Sequence, residues 1–546
     1  MRTWANRLPL VILAVMTAGF LALGLAEAWS DSPTFDEPVY VSSGVAAVLH
    51  HDVTLNEEHP PLAKVLAALP VLLEHPVVPG NGAWTGNDEY SYGARFVAAQ
   101  VAAGKLRRVT FASRLVPLVE TAGVTFVLYA IGLELSGAVA GALSGLLWLA
   151  SPFVLGIGHL DGTDMPFALG VALASWALLR WLRWRDTRRL AWLGLALAAA
   201  AETQVTGLLV VVSALAVVVA AEWRSGIVRA LTRAALAGLI VWAAVWAIYL
   251  VLDPAMAEQL PRLVPRPYLD GIRYLSVHDA AGSAAYIDGI AYTGGRWWYW
   301  PLSLAIKWPE AGLLLLIAGA IGCRWLPRDL RRRAGAAVGV PAVLLTAFTL
   351  TMPKDVGLRY LLPVLALWAA AAGGGLVAAA AALRGARRGA GAVMAVLLVV
   401  ALAATAGSFP GSIAWTAWPF RPNYTVVTDS NVDWGQGLYA LRAWGAGRDP
   451  WVGYFGPRGI TTTADIPGAR PLLGTAPGHV TGWVAVSVTA LNSTNRSALS
   501  WLRGWCPVDI LDGSILIYHF SRTPVESPAP AARPARLCPG PWSSPR

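Results

Sequence analysis

WLRWRDTRRLAWLGLALAAAAETQVTGLLVVVSALAVVVAAEWR, residues 181–224, decides how often this chain crosses a membrane. Its apolar interior suits either one crossing or two, since about 20 residues span the hydrocarbon of a bilayer. The flanks settle the number. Arg180 to Arg189 on one side, and Arg224, Arg229 and Arg233 on the other, are both strongly basic, and basic connections stay cytoplasmic. Two crossings, Leu190–Ala201 and Val205–Ala221, must therefore separate them, the first unusually short.

Outward from this stretch the same reading gives nine more apolar segments. They are Leu8–Ala28, Leu115–Leu133, Ala138–Ile157, Pro166–Leu182, Ala234–Leu252, Leu302–Cys323, Ala334–Met352, Leu361–Leu383 and Ala390–Ala406. Arg2 and Arg7, the cluster Arg324 to Arg333, and Arg384, Arg387 and Arg388 fall on the cytoplasmic side. The expectation is an all-α polytopic domain of about eleven transmembrane helices in a bacterial inner (plasma) membrane. Its N-terminus is cytoplasmic, and everything from about residue 410 is extracytoplasmic. Ala26-Glu27-Ala28 has the shape of a signal-peptidase site, but ten spans follow it, so the segment is read as a retained first span.

Composition agrees with a membrane protein. Of 546 residues, 56% are hydrophobic and only 14% charged, too little polar surface to cover a soluble core. The formal charge of +10 is dispersed in short clusters between spans. That suits anionic lipid headgroups and excludes the continuous basic stripe of a nucleic-acid binder. Three cysteines exclude a cysteine-based zinc or iron–sulfur framework; Cys506 and Cys538 could pair if their region is extracytoplasmic.

Residues 1–409 form the membrane domain, with outer loops at 29–112 and 253–300. Residues 410–522 form a small extracytoplasmic α/β or mostly β domain, because Trp483–Val488 and Ser514–Tyr518 alternate as strands do. Residues 523–546 are a Pro-rich tail expected to be disordered.

The first outer loop carries most of the chemistry. It opens SPTFDEPVY, placing Asp36 and Glu37 within a few residues of the first span. Thr34-x-x-Glu37 has capping-box spacing, yet Pro38 pushes the residue before it out of the α region. Pro38 reads as the first residue of a helix, with both carboxylates on its extended approach. NEEHPPLAKVLAALPVLL follows; Leu62, Val65, Leu66 and Leu69 form an apolar face that lies at or dips into the membrane. His59 precedes that helix, and Lys64 on its first turns either meets a lipid phosphate or snorkels. In GHLDGTDMPF, Asp161 and Asp164 occupy a short outer turn, where Asp164 is a helix cap, a cavity carboxylate or both. Arg114 opens the second span from outside, against the usual bias, and is either an interface anchor or a partner for an anion.

FDEP, EHPPLAK, an Arg opening the second span and an Asp before the fourth together resemble the protein O-mannosyltransferases and the related lipid A aminoarabinose transferases. Both belong to the GT-C superfamily of integral-membrane glycosyltransferases. PRPYLDGIRY, GRWWYWP, GLRYLLPV and DSNVDWGQGL resemble a bacterial branch of the same family, extending the likeness over most of residues 30–520. The chain departs where relatives often carry Thr-Lys: AETQVTG has Gln204 instead.

The resemblance implies an inverting transfer of a sugar from a polyprenyl-phosphate carrier to a protein, lipid or glycan acceptor. Asp36 would be the general base, with Glu37 orienting the acceptor or supporting the ionised state. His59, Lys64 and Arg114 would hold the carrier phosphate as it becomes the leaving group, Asp164 would line the same cavity, and Arg359 (with Lys354) would give a second phosphate contact. Asp429, Asn431, Asp433 and Gln436 in DSNVDWGQ form an acceptor site or a docking element. The loop lacks the Gly and terminal Glu of an EF-hand. No cofactor is expected; a divalent ion held by Asp36, Glu37, Asp161 and Asp164 is the less favoured reading. The alternative function is a transporter or flippase for a lipid-linked sugar, although the polar groups collect in outer loops rather than at mid-membrane in repeated halves.

Overall fold

The computed structural model describes residues 2–80, 89–260, 262–383, 387–460 and 466–524. Cys538, the partner considered for Cys506, and the Pro-rich tail beyond residue 524 lie outside the described residues.

Among the described residues, eight helices are long and apolar enough to cross a membrane. Two bent pairs bring the total to ten. Ala138–Leu149 turns into Pro152–Gly158 at 72°, and Tyr299–Lys307 turns into Glu310–Trp325 at 120°. The short fifth segment of the expected eleven falls outside both sets by its length. Thr187–Ala201 is a helix of 15 residues, about 22 Å long, against about 31 Å for the 21-residue Asp164–Trp184 beside it.

That short helix still runs from one end of the bundle to the other. Past its C-terminus, Gln204 Nε2 donates to Thr163 Oγ1 at 2.8 Å, beside the start of Asp164–Trp184. Just past the other end of Asp164–Trp184, Arg185 reaches Glu222, at the end of the Gly207–Glu222 helix, at 3.2 Å. The two basic clusters of the opening stretch therefore do lie together, gathered on buried Glu222, which also takes Arg229 at 3.0 Å and Arg233 at 3.7 Å. Gln204, Val205 and Thr206, just past its end, line a cavity, where non-helical backbone is tolerated.

Leu362–Ala382 runs through the middle of the bundle and is buried along most of its length. Small residues permit this. A Cβ on Gly319 would stand 2.5 Å from the Ala372 backbone, and one on Gly322 would stand 2.3 Å from the Gly375 carbonyl oxygen. Close backbone approach through small residues is how helices associate where no hydrophobic drive exists between them.

In the first outer loop, Glu37–His50 packs on Pro61–Leu72 so closely that a Cβ on Gly44 would lie 2.1 Å from the Lys64 carbonyl oxygen. Ala63, Lys64, Ala67, Ala68 and Val71 form the buried face. Leu62, Val65, Leu66 and Leu69 are left partly or fully exposed, as a helix against lipid requires. The second outer loop holds a hairpin, β1 (Ala284–Ile287) and β2 (Ile290–Thr293), joined by Asp288 and Gly289, both at positive φ. This is the turn whose twist matches paired strands.

The C-terminal region is a mixed five-stranded sheet of order β4-β3-β5-β7-β6. Its strands are β3 (Trp451–Gly453), β4 (Arg470–Pro471), β5 (Gly482–Ser487), β6 (Asp509–Leu511) and β7 (Ile515–Phe520). The two strands expected from alternation are β5 and β7, paired antiparallel with Val484 opposite Tyr518. Leu441 of the Leu438–Gly445 helix closes one face over Val452, Ala485, Ile515 and Ile517.

Candidate active site

The FDEP segment divides its two carboxylates between two jobs. The helix begins at Glu37, one residue before the expected Pro38, and Asp36 occupies the cap position without making a side-chain cap bond. Glu37 takes the capping-box role instead: Thr34 N donates to its Oε2 at 2.7 Å. Arg114 fills the rest of the Glu37 carboxylate, Nε to Oε1 and Nη2 to Oε2, both at 2.7 Å. Asp161 N adds a bond to Oε1 at 2.9 Å. Burial pushes this carboxyl up, but the Arg114 guanidinium and the backbone N–H groups overcome it and hold Glu37 below its ordinary range.

This geometry corrects the roles expected for Glu37 and Arg114. Arg114 is fully buried, and its remaining donors go to the carbonyls of Ala28 (3.0 Å), Asp31 (2.8 Å) and Ser32 (2.8 Å). All five guanidinium N–H groups are thus used, leaving none for a phosphate. Lys64 is corrected on the same ground. Its three donors are used by Asn56 O (2.5 Å), Asn56 Oδ1 (3.0 Å) and His59 O (2.6 Å), so it splints the turn before its helix.

Asp36 instead faces a cavity of about 890 Å³. Its Oδ2 lies 3.1 Å from Arg359 Nη2, and Arg359 Nη1 lies 3.4 Å from Asp164 Oδ2. Trp434 underlies the guanidinium at 4.2 Å and Tyr360 flanks it at 5.1 Å. Arg359 Nε is buried with no hydrogen-bond partner among the described residues. Burial lifts the Asp36 carboxyl above its ordinary value, against the pull of Arg359.

His59, Lys354 and Asp429 line the same cavity. Lys354 pairs with Asp279 at 2.7 Å. Burial, and then the Lys64 charge, push the His59 imidazole down to about 3. Its Nδ1 is buried with no hydrogen-bond partner among the described residues. Sequence reasoning missed Tyr40, Glu58 and Tyr90, which also line the cavity. Tyr40 was findable, standing one helical turn beyond Asp36 on the same face, and Glu58 immediately precedes His59.

The DSNVDWGQ residues separate. Asp429 faces the cavity, while Asn431, Asp433 and Gln436 are buried in the join between domains. Asn431 Oδ1 accepts from Leu358 N at 3.0 Å, and its Nδ2 donates to Tyr299 Oη at 2.8 Å. Asp433 Oδ2 accepts from Thr489 N at 2.7 Å, and Gln436 Nε2 donates to Val432 O at 2.9 Å. These three serve docking, and an acceptor site at them is corrected.

One end of the cavity is apolar, walled by Val205, Leu208, Leu209, Leu345, Phe348 and Met352. Phe348 of this wall is also exposed at the surface. Gln204 lines the same cavity. Among the described residues no three His, Cys, Asp or Glu side chains converge to hold a metal ion.

Comparison with known proteins places this geometry. Residues 102–249 match the family described as dolichyl-phosphate-mannose-protein mannosyltransferase. No curated protein sequence matches the chain. The fold is similar to the archaeal oligosaccharyltransferase AglB from Archaeoglobus fulgidus, at 11% identity and TM-score 0.50, covering 94% of this chain and 74% of that one. ArnT from Cupriavidus metallidurans is similar at 12% identity and TM-score 0.49, with 92% and 97% covered. The chain is thus a multi-pass membrane protein whose fold is similar to that of the archaeal oligosaccharyltransferase, and its residues 102–249 resemble the dolichyl-phosphate-mannose-protein mannosyltransferases.

Proposed function

We propose that the chain is an inverting glycosyltransferase that moves a sugar from a polyprenyl-phosphate carrier to an extracytoplasmic protein, lipid or glycan. The observation that carries this reading is a cavity that holds a carboxylate–guanidinium–carboxylate cluster together with an apolar wall that extends to surface-exposed Phe348. A phosphate on a long isoprenoid chain needs both. The tail lies along Leu208, Leu209, Leu345 and Phe348, and the phosphate meets Arg359 and Lys354. The AglB structure, a complex with an inhibitory peptide and a dolichol-phosphate, supports this class of donor on this fold. The cavity end of the bundle faces outward and the Glu222 end faces the cytoplasm, in a bacterial inner membrane, as the basic clusters favour.

Asp36 Oδ1 takes the proton of the acceptor hydroxyl as that oxygen attacks the anomeric carbon. The bond to the phosphate oxygen breaks on the opposite face, and the electron pair leaves with the phosphate. Arg359 and Lys354 stabilise the growing negative charge. One base suffices, because the displacement is single and needs no glycosyl-enzyme carboxylate.

The test uses full-length protein in proteoliposomes containing undecaprenyl-phosphate hexoses and pentoses, measuring undecaprenyl phosphate released with envelope extract as acceptor. One sugar should be consumed by the wild type and not by Asp36→Asn. Equal consumption by both proteins would sink the assignment of the base. Consumption of none would sink the donor class.

A further inference from the structure

The segment 429–438 of the C-terminal domain grips the two pieces of chain that carry the Asp36–Arg359 pair. On one side Phe35 N donates to Trp434 O and Ser32 N to Gln436 O, both at 2.9 Å. Ser32 Oγ donates to Gly435 O at 2.8 Å and accepts from Leu438 N at 3.0 Å. On the other side Ser430 Oγ donates to Val356 O at 2.9 Å, and Leu358 N donates to Asn431 Oδ1 at 3.0 Å. A Cβ on Gly357 would stand 1.9 Å from Ser430 Oγ, so a larger residue would displace the hydroxyl that bonds Val356. The segment is itself anchored, with Thr489 N bonded to Asp433 and Asp429 N to the Thr489 hydroxyl.

Between the two grips lies Trp434, which is buried and presents its indole face to the Arg359 guanidinium at 4.2 Å. A guanidinium meets two carboxylates at once only when its plane is fixed, and an arginine side chain is otherwise free to rotate. The two carboxylates restrain its edges. The indole at 4.2 Å supplies the closer ring restraint on its face, Tyr360 standing at 5.1 Å.

We propose that Trp434 is a positioning residue: it fixes the plane of Arg359, so that the C-terminal domain sets the geometry with which the membrane domain binds carrier phosphate. The proposal deepens the function given above and rests on Arg359 contacting that phosphate.

The test measures the affinity of undecaprenyl phosphate for full-length protein in phosphatidylethanolamine–phosphatidylglycerol nanodiscs, with thermal midpoints taken for every variant. Arg359→Lys should weaken binding about tenfold or more, since it removes a planar, charge-assisted contact. Trp434→Met, which fills volume without a ring face, should lose a similar factor. The double variant should be no weaker than the worse single variant, within about twofold. Trp434→Phe restores a ring face and should bind within about threefold of the wild type. A packing role alone would give neither the Phe rescue nor the lack of additivity. Wild-type affinity in Trp434→Met, or losses that multiply in the double variant, would overturn the positioning role while leaving the proposed function intact. Should Trp434→Met fail to fold, a folded Trp434→Phe with a tenfold loss would overturn it equally. Absence of binding by the wild type would overturn both readings.

Discussion

Asp36 and Arg359, 323 residues apart in sequence, meet at 3.1 Å, and the same guanidinium reaches Asp164 at 3.4 Å. A cation therefore already stands between the two carboxylates that a divalent ion would have to share. Of the other two residues considered for such an ion, Glu37 is bound by Arg114, and Asp161 gives its backbone N–H to Glu37 and does not line the cavity.

Chelation should consequently leave turnover unchanged. Transfer in proteoliposomes is expected to be the same with and without EDTA. Loss on chelation with recovery on adding Mg²⁺ or Mn²⁺ would show that Arg359 yields its place to a metal.

Replacing Asp36 by Asn should lower transfer by about 10²–10⁴-fold, the usual contribution of a positioned base. The wild-type pH profile carries the second half of this prediction. The base acts deprotonated, and burial raises its carboxyl, so the rate should fall as pH drops through a value above the ordinary aspartate figure of about 3.9. An acid limb at or below that figure would argue against Asp36.

Arg114→Met should act on stability rather than on carrier affinity. It strands a buried carboxylate, a loss of about 3–5 kcal/mol, read as a lowered thermal midpoint in detergent. The pair also makes stability depend on pH. Because the folded Glu37 carboxyl is held low, its contribution is complete above the unfolded value of about 4.3 and disappears as pH falls through the folded value below it. Folded Arg114→Met protein with unchanged melting and weakened binding of undecaprenyl phosphate would restore the phosphate role.

Gly44→Ala should destabilise by about 1–3 kcal/mol, the typical cost of overpacking. The new methyl meets the Lys64 carbonyl oxygen, which belongs to helix backbone and cannot rotate away. A thermal midpoint equal to that of the wild type would mean the two helices separate freely.

Topology was legible because charge and hydropathy are local signals. The basic flanks of 190–221 were enough to demand two crossings, and those flanks do meet on Glu222. The fifth helix was read as an unusually short crossing, and the cavity that Gln204, Val205 and Thr206 line just past its end gave no signal because its other walls are distant in sequence. Cations misled for the same reason. Arg114, Lys64 and Arg359 look alike as isolated charges, and only counting donors against nearby acceptors separates the two that are fully used from the one with a free N–H. Trp434 gave no signal, since its partner lies on a membrane helix and nothing in DSNVDWGQ specifies a cation above the ring.

The bond between Ser32 and Leu438 joins positions 406 residues apart, so completion of the pocket waits on the ribosome. At about 5–20 residues per second, roughly 20–80 s pass between synthesis of the two ends of that join. Throughout this interval the early helices can insert and pack while the pocket stays incomplete. A product ending before residue 429 would lack Trp434 and the bonds that hold Ser32, Val356 and Leu358.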